Sequence, residues 1–481
     1  MTSPPPPGPA TNLLSSAEQV DHLLNRIGEV DGPSLHAVVA TSPDAMATAI
    51  ALDAEHRDGR VRGPLHGVPV LVKDNIDTTD LDTTAGSLAL AGHRPVSDAP
   101  IVTRLREAGM VVLGKTNLSE WANIRSPHST SGWSAVGGLT GNPWGAGRSA
   151  GGSSSGSGAA LAAGLAAYAV GTETDGSIVC PASLNGVVGV KPTVGLLPGQ
   201  GIVPISNSQD TAGPMARSVA QAAALLDVLA GSDGRYGAAA AVATAEQALS
   251  GMRLGVARAW FGDHPATDAV AETALGLLAA AGATLVDPAD VPAVPAYDAG
   301  GDELVVLLHE LRRDLEAYLA TRPHGCPRTL EDVVAFNRAH AELELPWFGQ
   351  EYFELALTDP MRDVDAYRAA LDRGRQAARD DGIDAVLAQH DLHAMLAPTY
   401  GPAWLSDLVN GDQVQGGKVT AAPAVAGYPL VSVPMGFVHG LPVGLAVVGT
   451  ANSEETLLRV AQGIEHAVGL HAAGALHPPG W

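Results

Sequence analysis

Two rhythms of apolar residues run along this chain. Between residues 15 and 55, Leu23, Leu24 and Ile27, then Met46, Ile50 and Leu52, fall on helical spacing and predict helices with one buried stripe each. Residues 69–72 are instead an unbroken Pro-Val-Leu-Val run stopping on Lys73, the pattern of a short strand buried on both faces. The alternation then repeats. A helix is predicted over 101–108, a strand over 110–113, a turn entering a helix over 114–121, and a small-residue helix over 159–169. Further strands are predicted at 187–190, 254–257, 284–286, 394–397, 430–433 and 443–448. A loop is expected over 198–210, a helix over 217–229, and a flexible join over 231–245. Residues 302–380 break the rhythm. Leu304, Leu308, Leu311, Leu315 and Leu319 recur at helical spacing, charges fill the other face, and prolines at 323, 327, 346 and 360 divide the stretch. It reads as a helical excursion laid over the sheet. The whole predicts an α/β protein built on a large mixed sheet with helices on both faces.

Composition narrows what such a fold can do. Apolar residues make up 46% of the 481, enough for a large core. The formal charge is -23, with only four lysines, and this surface would repel a nucleic-acid backbone. Cys180 and Cys326 are the only cysteines, and neither lies in a Cys-x-x-Cys or His-rich pattern, so neither a disulfide framework nor a metal site is expected. The Pro-rich opening predicts a disordered tail over residues 1–12, without the basic-then-apolar order of a secretory signal. No apolar run reaches the roughly 18–20 residues that cross a bilayer. The expectation is a cytoplasmic protein with no membrane partner and no cofactor, a monomer or homodimer, with one domain over residues 13–481.

One motif misleads. Gly109-Met-Val-Val-Leu-Gly-Lys-Thr116 matches a phosphate loop letter for letter. Its four intervening residues are strand formers, which would pair the N–H groups that a phosphate needs free. A strand followed by a helix start is the reading that fits the chemistry.

The chemistry gathers instead between residues 145 and 192. Gly145-Ala-Gly-Arg-Ser-Ala-Gly-Gly-Ser-Ser-Ser-Gly-Ser-Gly158 and Gly171-Thr-Glu-Thr-Asp-Gly-Ser-Ile-Val-Cys-Pro-Ala-Ser183 are serine- and glycine-rich turns flanking a short helix. Such turns can aim several N–H groups at one point, as an oxyanion requires. Lys73 in Val-Lys-Asp-Asn, Ser153 in Gly-Gly-Ser-Ser and Ser177 in Asp-Gly-Ser-Ile, 24 positions later, together resemble the amidase signature family. The likeness is strongest over about residues 60–230, returns over about 390–470, and within the family is greatest to the peptide amidase branch.

The resemblance implies a metal-free hydrolase of linear carboxylic or peptide amides that works through an acyl-enzyme. Ser177 would be the nucleophile, Ser153 a relay preceded by a cis peptide bond, and Lys73 the terminal base. An exposed lysine titrates near 10.4, so as a base at neutral pH it must lose about three units, roughly 4 kcal/mol, which burial beside residues 69–72 can supply. Asp74 would oppose this unless it points to the opposite face of the strand. The N–H groups of Thr174, Asp175, Gly176 and Ser177 are the implied oxyanion hole, with Ser154 and Asp210 behind them. Where the family commonly has arginine this chain has Val179, which removes a carboxylate clamp unless Arg125 or Arg148 replaces it. Two other readings stand beside this one. Gly152-x-Ser154-x-Gly156 fits the nucleophile elbow of an α/β-hydrolase esterase, with His390, His393, His439 and His466 available. A partner-dependent amidotransferase component that releases ammonia from glutamine for an aminoacyl-tRNA is the other.

Overall fold

The computed structural model describes residues 14–231, 237–242, 247–292 and 301–480. Eleven strands form one sheet: β1 (Val38–Thr41), β2 (Pro69–Lys73), β3 (Val111–Thr116), β4 (Tyr168–Glu173), β5 (Val188–Lys191), β6 (Thr211–Ala216), β7 (Arg253–Val256), β8 (Thr284–Val286), β9 (Ala394–Pro398), β10 (Leu430–Val438) and β11 (Leu441–Val448). Their spatial order is β1-β3-β2-β4-β6-β5-β10-β11-β9-β7-β8. β3, β2 and β4 run parallel, as do β9, β7 and β8, and antiparallel pairs join the two groups. The sheet is therefore mixed, and both halves of the sequence contribute to it.

Helices cover both faces. On one, Pro100–Glu107, Val219–Ala230, Pro265–Ala280 and Glu454–Val468 share an apolar cluster with Val70, Val72, Val170 and Val188. On the other, Ser16–Arg26, Ala45–Arg57 and Ser155–Ala162 pack on Leu71, Val111, Leu113 and Ala169. Burial on both sides explains why these strands read as continuous apolar runs. None of the described helices is long and apolar enough to cross a membrane.

Three strands of this sheet escaped the sequence reading. β4 was expected as the end of a helix and the start of a turn; the helix instead stops at Ala162. β6, Thr-Ala-Gly-Pro-Met-Ala, carries a glycine and a proline that argue against a central strand. Both are tolerated locally. Within β6 the only partners of β5 are Met215 and Ala216, past Pro214, and a Cβ on Gly213 would stand 2.0 Å from the Val190 carbonyl oxygen. β1 is only half-buried and lacks a strong apolar signal. The phosphate-loop match is β3: its Lys115 is buried and ion-paired at 3.0 Å with Asp74. The expected tail over 1–12 lies outside the described residues, as does most of the 231–245 join, although Ala238–Ala241 within it is helical.

The excursion over 302–380 is helical as expected, comprising Asp302–Leu319, Leu330–Ala339, Ala341–Glu344, Glu351–Ala356 and Val364–Ala378. Its first helix contributes Leu308, Leu311, Leu315 and Tyr318 to a cluster with Ala85, Leu90 and Trp121, which ties it to the N-terminal half.

We propose that residues 13–481 fold as one cooperative unit, because β5 is followed in the sheet by β10 and β11 from the far end of the chain. Cutting after residue 230 would expose Val188, Val190 and the cluster they share with Val431 and Leu445. The expected outcome is a single urea transition for the whole chain and no cooperative transition for residues 1–230 alone. A fragment that unfolds cooperatively would show separable halves.

Candidate active site

β2 alternates its side chains, so Val70 and Val72 enter one core cluster while Leu71 faces the other, with Lys73 on the Leu71 side. Lys73 is fully buried. Its Nζ lies 2.7 Å from Ser153 Oγ, 2.8 Å from Thr172 Oγ1 and 3.2 Å from the Thr172 carbonyl oxygen. Asn75 Nδ2 donates to the same Thr172 hydroxyl at 2.9 Å, which fixes the threonine. Burial lowers the Lys73 pKa to about 7, against the pull of the Glu173 and Asp210 carboxylates, which raise it. A neutral amine has two N–H donors and one lone pair. The two Thr172 oxygens can take the donors, leaving the lone pair for the Ser153 hydroxyl.

Asp74, next in sequence, does not undo this. Its carboxylate pairs with Lys115 and accepts from the Thr84 N–H at 3.3 Å. A second buried lysine thus absorbs the charge that would otherwise hold Lys73 protonated.

The Gly152–Ser153 peptide bond is cis. The turn around it is stitched on three sides. Ser119 N–H donates to the Ser153 carbonyl at 3.1 Å, Ser154 N–H donates to the Ser177 carbonyl at 3.0 Å, and Ser154 Oγ donates to the Thr172 carbonyl at 3.1 Å while accepting the Thr172 N–H at 3.2 Å. Ser153 is sealed beneath the turn, whereas Ser177 reaches a cavity of about 210 Å³ lined also by Gly152, Thr174, Asp175, Tyr400 and Asp412. Among the described residues no hydrogen bond joins Ser153 Oγ to Ser177 Oγ; such contacts often tighten only when substrate is bound.

Beyond β4 the chain supplies donors. The N–H groups of Thr174, Asp175, Gly176 and Ser177 make no hydrogen bond among the described residues. The next two, of Ile178 and Val179, are taken by Glu173 Oε2 at 2.6 and 3.0 Å. One carboxylate thus fixes the start of helix Val179–Asn185 and leaves the four preceding donors for a ligand. Gly176 adopts φ +75°, and a Cβ there would stand 2.6 Å from Tyr400 Oη, so only glycine fits. Asp210 braces the same turn. Thr174 Oγ1 donates to its Oδ1 at 2.6 Å, and the Ile205 and Ser206 N–H groups donate to its Oδ2. Burial raises the Asp210 pKa to about 7.

The structure thus gathers the residues that the sequence singled out. It also adds Thr172, Asn75 and Glu173. Thr172 and Glu173 were visible in Gly171-Thr-Glu-Thr and Asn75 in Val-Lys-Asp-Asn, but their roles become readable only once β4 is recognised as the strand beside Lys73. Other candidates lie elsewhere. Val179 packs with Ala422, Leu430 and Ala446 rather than facing the cavity. Arg125 is buried against Glu120 at 3.1 Å and stacks on Phe348, while Arg148 donates to the Ala403 carbonyl. Neither arginine lines the Ser177 cavity. Ser154 Oγ is committed to Thr172, and no histidine bonds to it, so the nucleophile-elbow reading lacks its base. Among the described residues there is no group of three or more His, Cys, Asp or Glu placed to hold a metal ion.

Known proteins resemble this chain over nearly its whole length. The family model for amidases matches residues 18–458. A probable amidase of Arabidopsis thaliana is 37% identical over 474 residues, covering 94% of this chain and 87% of that protein. A glutamyl-tRNA(Gln) amidotransferase subunit of Symbiobacterium thermophilum is 34% identical, covering 96% and 95%. Among solved structures, native peptide amidase from Stenotrophomonas maltophilia superposes with a TM-score of 0.87 at 47% identity, covering 95% of this chain and 94% of that one. A peptide amidase in complex with the competitive inhibitor chymostatin gives 0.90 at 48%, covering 97% and 96%. The protein belongs to the amidase family and is a hydrolase acting on amides.

Proposed function

We propose that the chain hydrolyses the C-terminal carboxamide of peptides, and of comparable neutral amides, to the acid and ammonia. The observation that carries this reading is the buried Lys73 amine, 2.7 Å from Ser153 Oγ, beside a turn with four unengaged N–H groups around Ser177. Its depressed pKa supplies the base that a serine hydroxyl needs. The peptide preference is supported by the peptide amidases that resemble this chain at 47–48% identity, against 34% for the amidotransferase component.

The Lys73–Ser153 contact and the free N–H groups support the following steps. Neutral Lys73 takes the Ser153 proton as Ser153 takes that of Ser177, and Ser177 Oγ bonds to the amide carbon. The carbonyl electron pair moves to oxygen, where the N–H groups of residues 174–177 stabilise it. The C–N bond then breaks, and the proton returns through Ser153 to the departing nitrogen. Water, deprotonated along the same path, attacks the acyl-enzyme and releases the acid and Ser177. A substrate carboxylate near the scissile bond would find no arginine or lysine among the cavity residues.

Ser177→Ala and Lys73→Ala should each lower kcat/KM for a blocked peptide amide by about 10³-fold or more, because base and nucleophile act as one unit. Ser154→Ala should cost much less, since its hydroxyl holds backbone. Ammonia release by the three purified variants checks this. Full activity in Lys73→Ala would remove the lysine from the mechanism, and dependence on Ser154 alone would restore the elbow reading.

The pH profile gives a second check. kcat/KM should fall as pH drops through about 7, where Lys73 becomes protonated. Asp210 titrates in the same range, so the limb belongs to the coupled pair. Asp210→Asn removes a negative charge that favours the ammonium, so the Lys73 pKa should fall further and the limb should move to lower pH. A limb that stays in place or moves up would contradict the coupling.

A further inference from the structure

The Ser177 cavity does not end at the nucleophile. On one side it shares Ala122, Thr174 and Ile205 with a chamber of about 520 Å³ under helix Asp302–Leu319. On the other it shares Asn123, Asp412 and Val414 with an outer groove of about 350 Å³. Asp412 is the charged residue common to the cavity and the groove, and no lysine or arginine lines either.

The Asp412 carboxylate is only partly engaged. Its Oδ1 accepts from Trp404 Nε1 at 3.0 Å and from the Ser131 N–H at 3.2 Å, and Oδ2 shares that same N–H at 3.0 Å. The Ser131 side chain also stabilises the carboxylate, yet an ionised carboxylate has about four acceptor sites and three donors leave room for one more. None of the ion pairs among the described residues includes it. Burial raises its pKa, the mark of a charge without full compensation. Its neighbours in the groove include His128 but no lysine or arginine. Asp175 lies in the same cavity, and Ser126 in the groove donates to Glu351 Oε2 at 2.6 Å.

We infer that Asp412 is a specificity-determining residue, and that the outer groove takes a guanidinium or ammonium side chain carried by the acyl part of the substrate, beside the residue whose carboxamide is cleaved. The inference rests on the amide-hydrolysis reading above. A cation would complete the Asp412 acceptor set at the point where the groove enters the Ser177 cavity. A charge-assisted hydrogen bond of this kind corresponds to roughly tenfold or more in specificity. If Asp412 served only to latch residues 401–417 to Ser131, substrate charge would make no difference.

The test compares kcat/KM for blocked dipeptide amides with arginine, citrulline or glutamate next to the terminal residue. Citrulline keeps the shape and N–H donors of arginine without its charge. The expected result is an arginine-to-citrulline ratio of about ten or more in the wild type, seen mainly in KM, with glutamate poorest. That ratio should fall toward one in Asp412→Asn, or in Asp412→Ser if the first variant does not fold. A wild-type ratio near one, or a ratio unchanged by both substitutions, overturns the inference. If none of the three amides is hydrolysed, the amidase reading itself has failed. If the citrulline amide is hydrolysed as fast as the arginine amide, only the role of Asp412 has failed.

Discussion

The site depends on the burial of one amine. Lys73 ends a strand whose other residues are all apolar, and the sheet removes its Nζ from water on every side. Desolvation disfavours the ammonium and brings the pKa of this lysine down to about 7. Everything nearby preserves that condition. Thr172 gives the amine two acceptors without adding charge, and Lys115 absorbs Asp74. Glu173 commits one oxygen to the helix start beyond Ser177. The carboxylates that remain, Glu173 and Asp210, pull the other way, so the amine is poised near neutrality rather than driven far below it.

The same strands that bury the Lys73 amine also carry the turn around Ser177. β4 ends at Glu173, and the chain turns at once into four free N–H groups. Because β2 and β4 are neighbours, the lysine on one and the turn leaving the other are held together by sheet hydrogen bonds rather than by flexible loops. The Ser153 turn is fixed between them by Ser119, Ser154 and Thr172. The sheet thus serves as the ruler for the chemistry, and helix Asp302–Leu319 closes it from above with Leu307 at the cavity wall.

Much of this was legible in the sequence, and the exceptions share a cause. Lys73, Ser153 and Ser177 stood out because their local runs are distinctive. The strands at 69–72, 394–397 and 443–448 were found because a short continuous apolar run between turn residues fits a buried strand best. β4 and β6 were missed because Gly171 and Gly213 serve close approach and Thr172 serves contact with Lys73, and Pro214 reads as a strand breaker. Thr172 and Glu173 were missed with them. The charge balance around Asp74 was half visible: strand alternation turned it away from Lys73, but its partner Lys115 lay inside a false phosphate loop. Asp412 carried no local signal, since its meaning comes from cavities assembled by segments far apart in the chain.

The central claim is that Lys73 titrates near neutrality, so that about half of it is the free amine at pH 7. The chain has only four lysines, so ε-¹³C-lysine labelling gives four resonances to follow by NMR, with Lys73→Met to assign the one of interest. The account predicts that the Lys73 resonance titrates with a midpoint of about 7, while the Lys191 midpoint lies higher, at about 8. A Lys73 resonance that stays in its ammonium position until about pH 10, the range of an ordinary lysine, would contradict it.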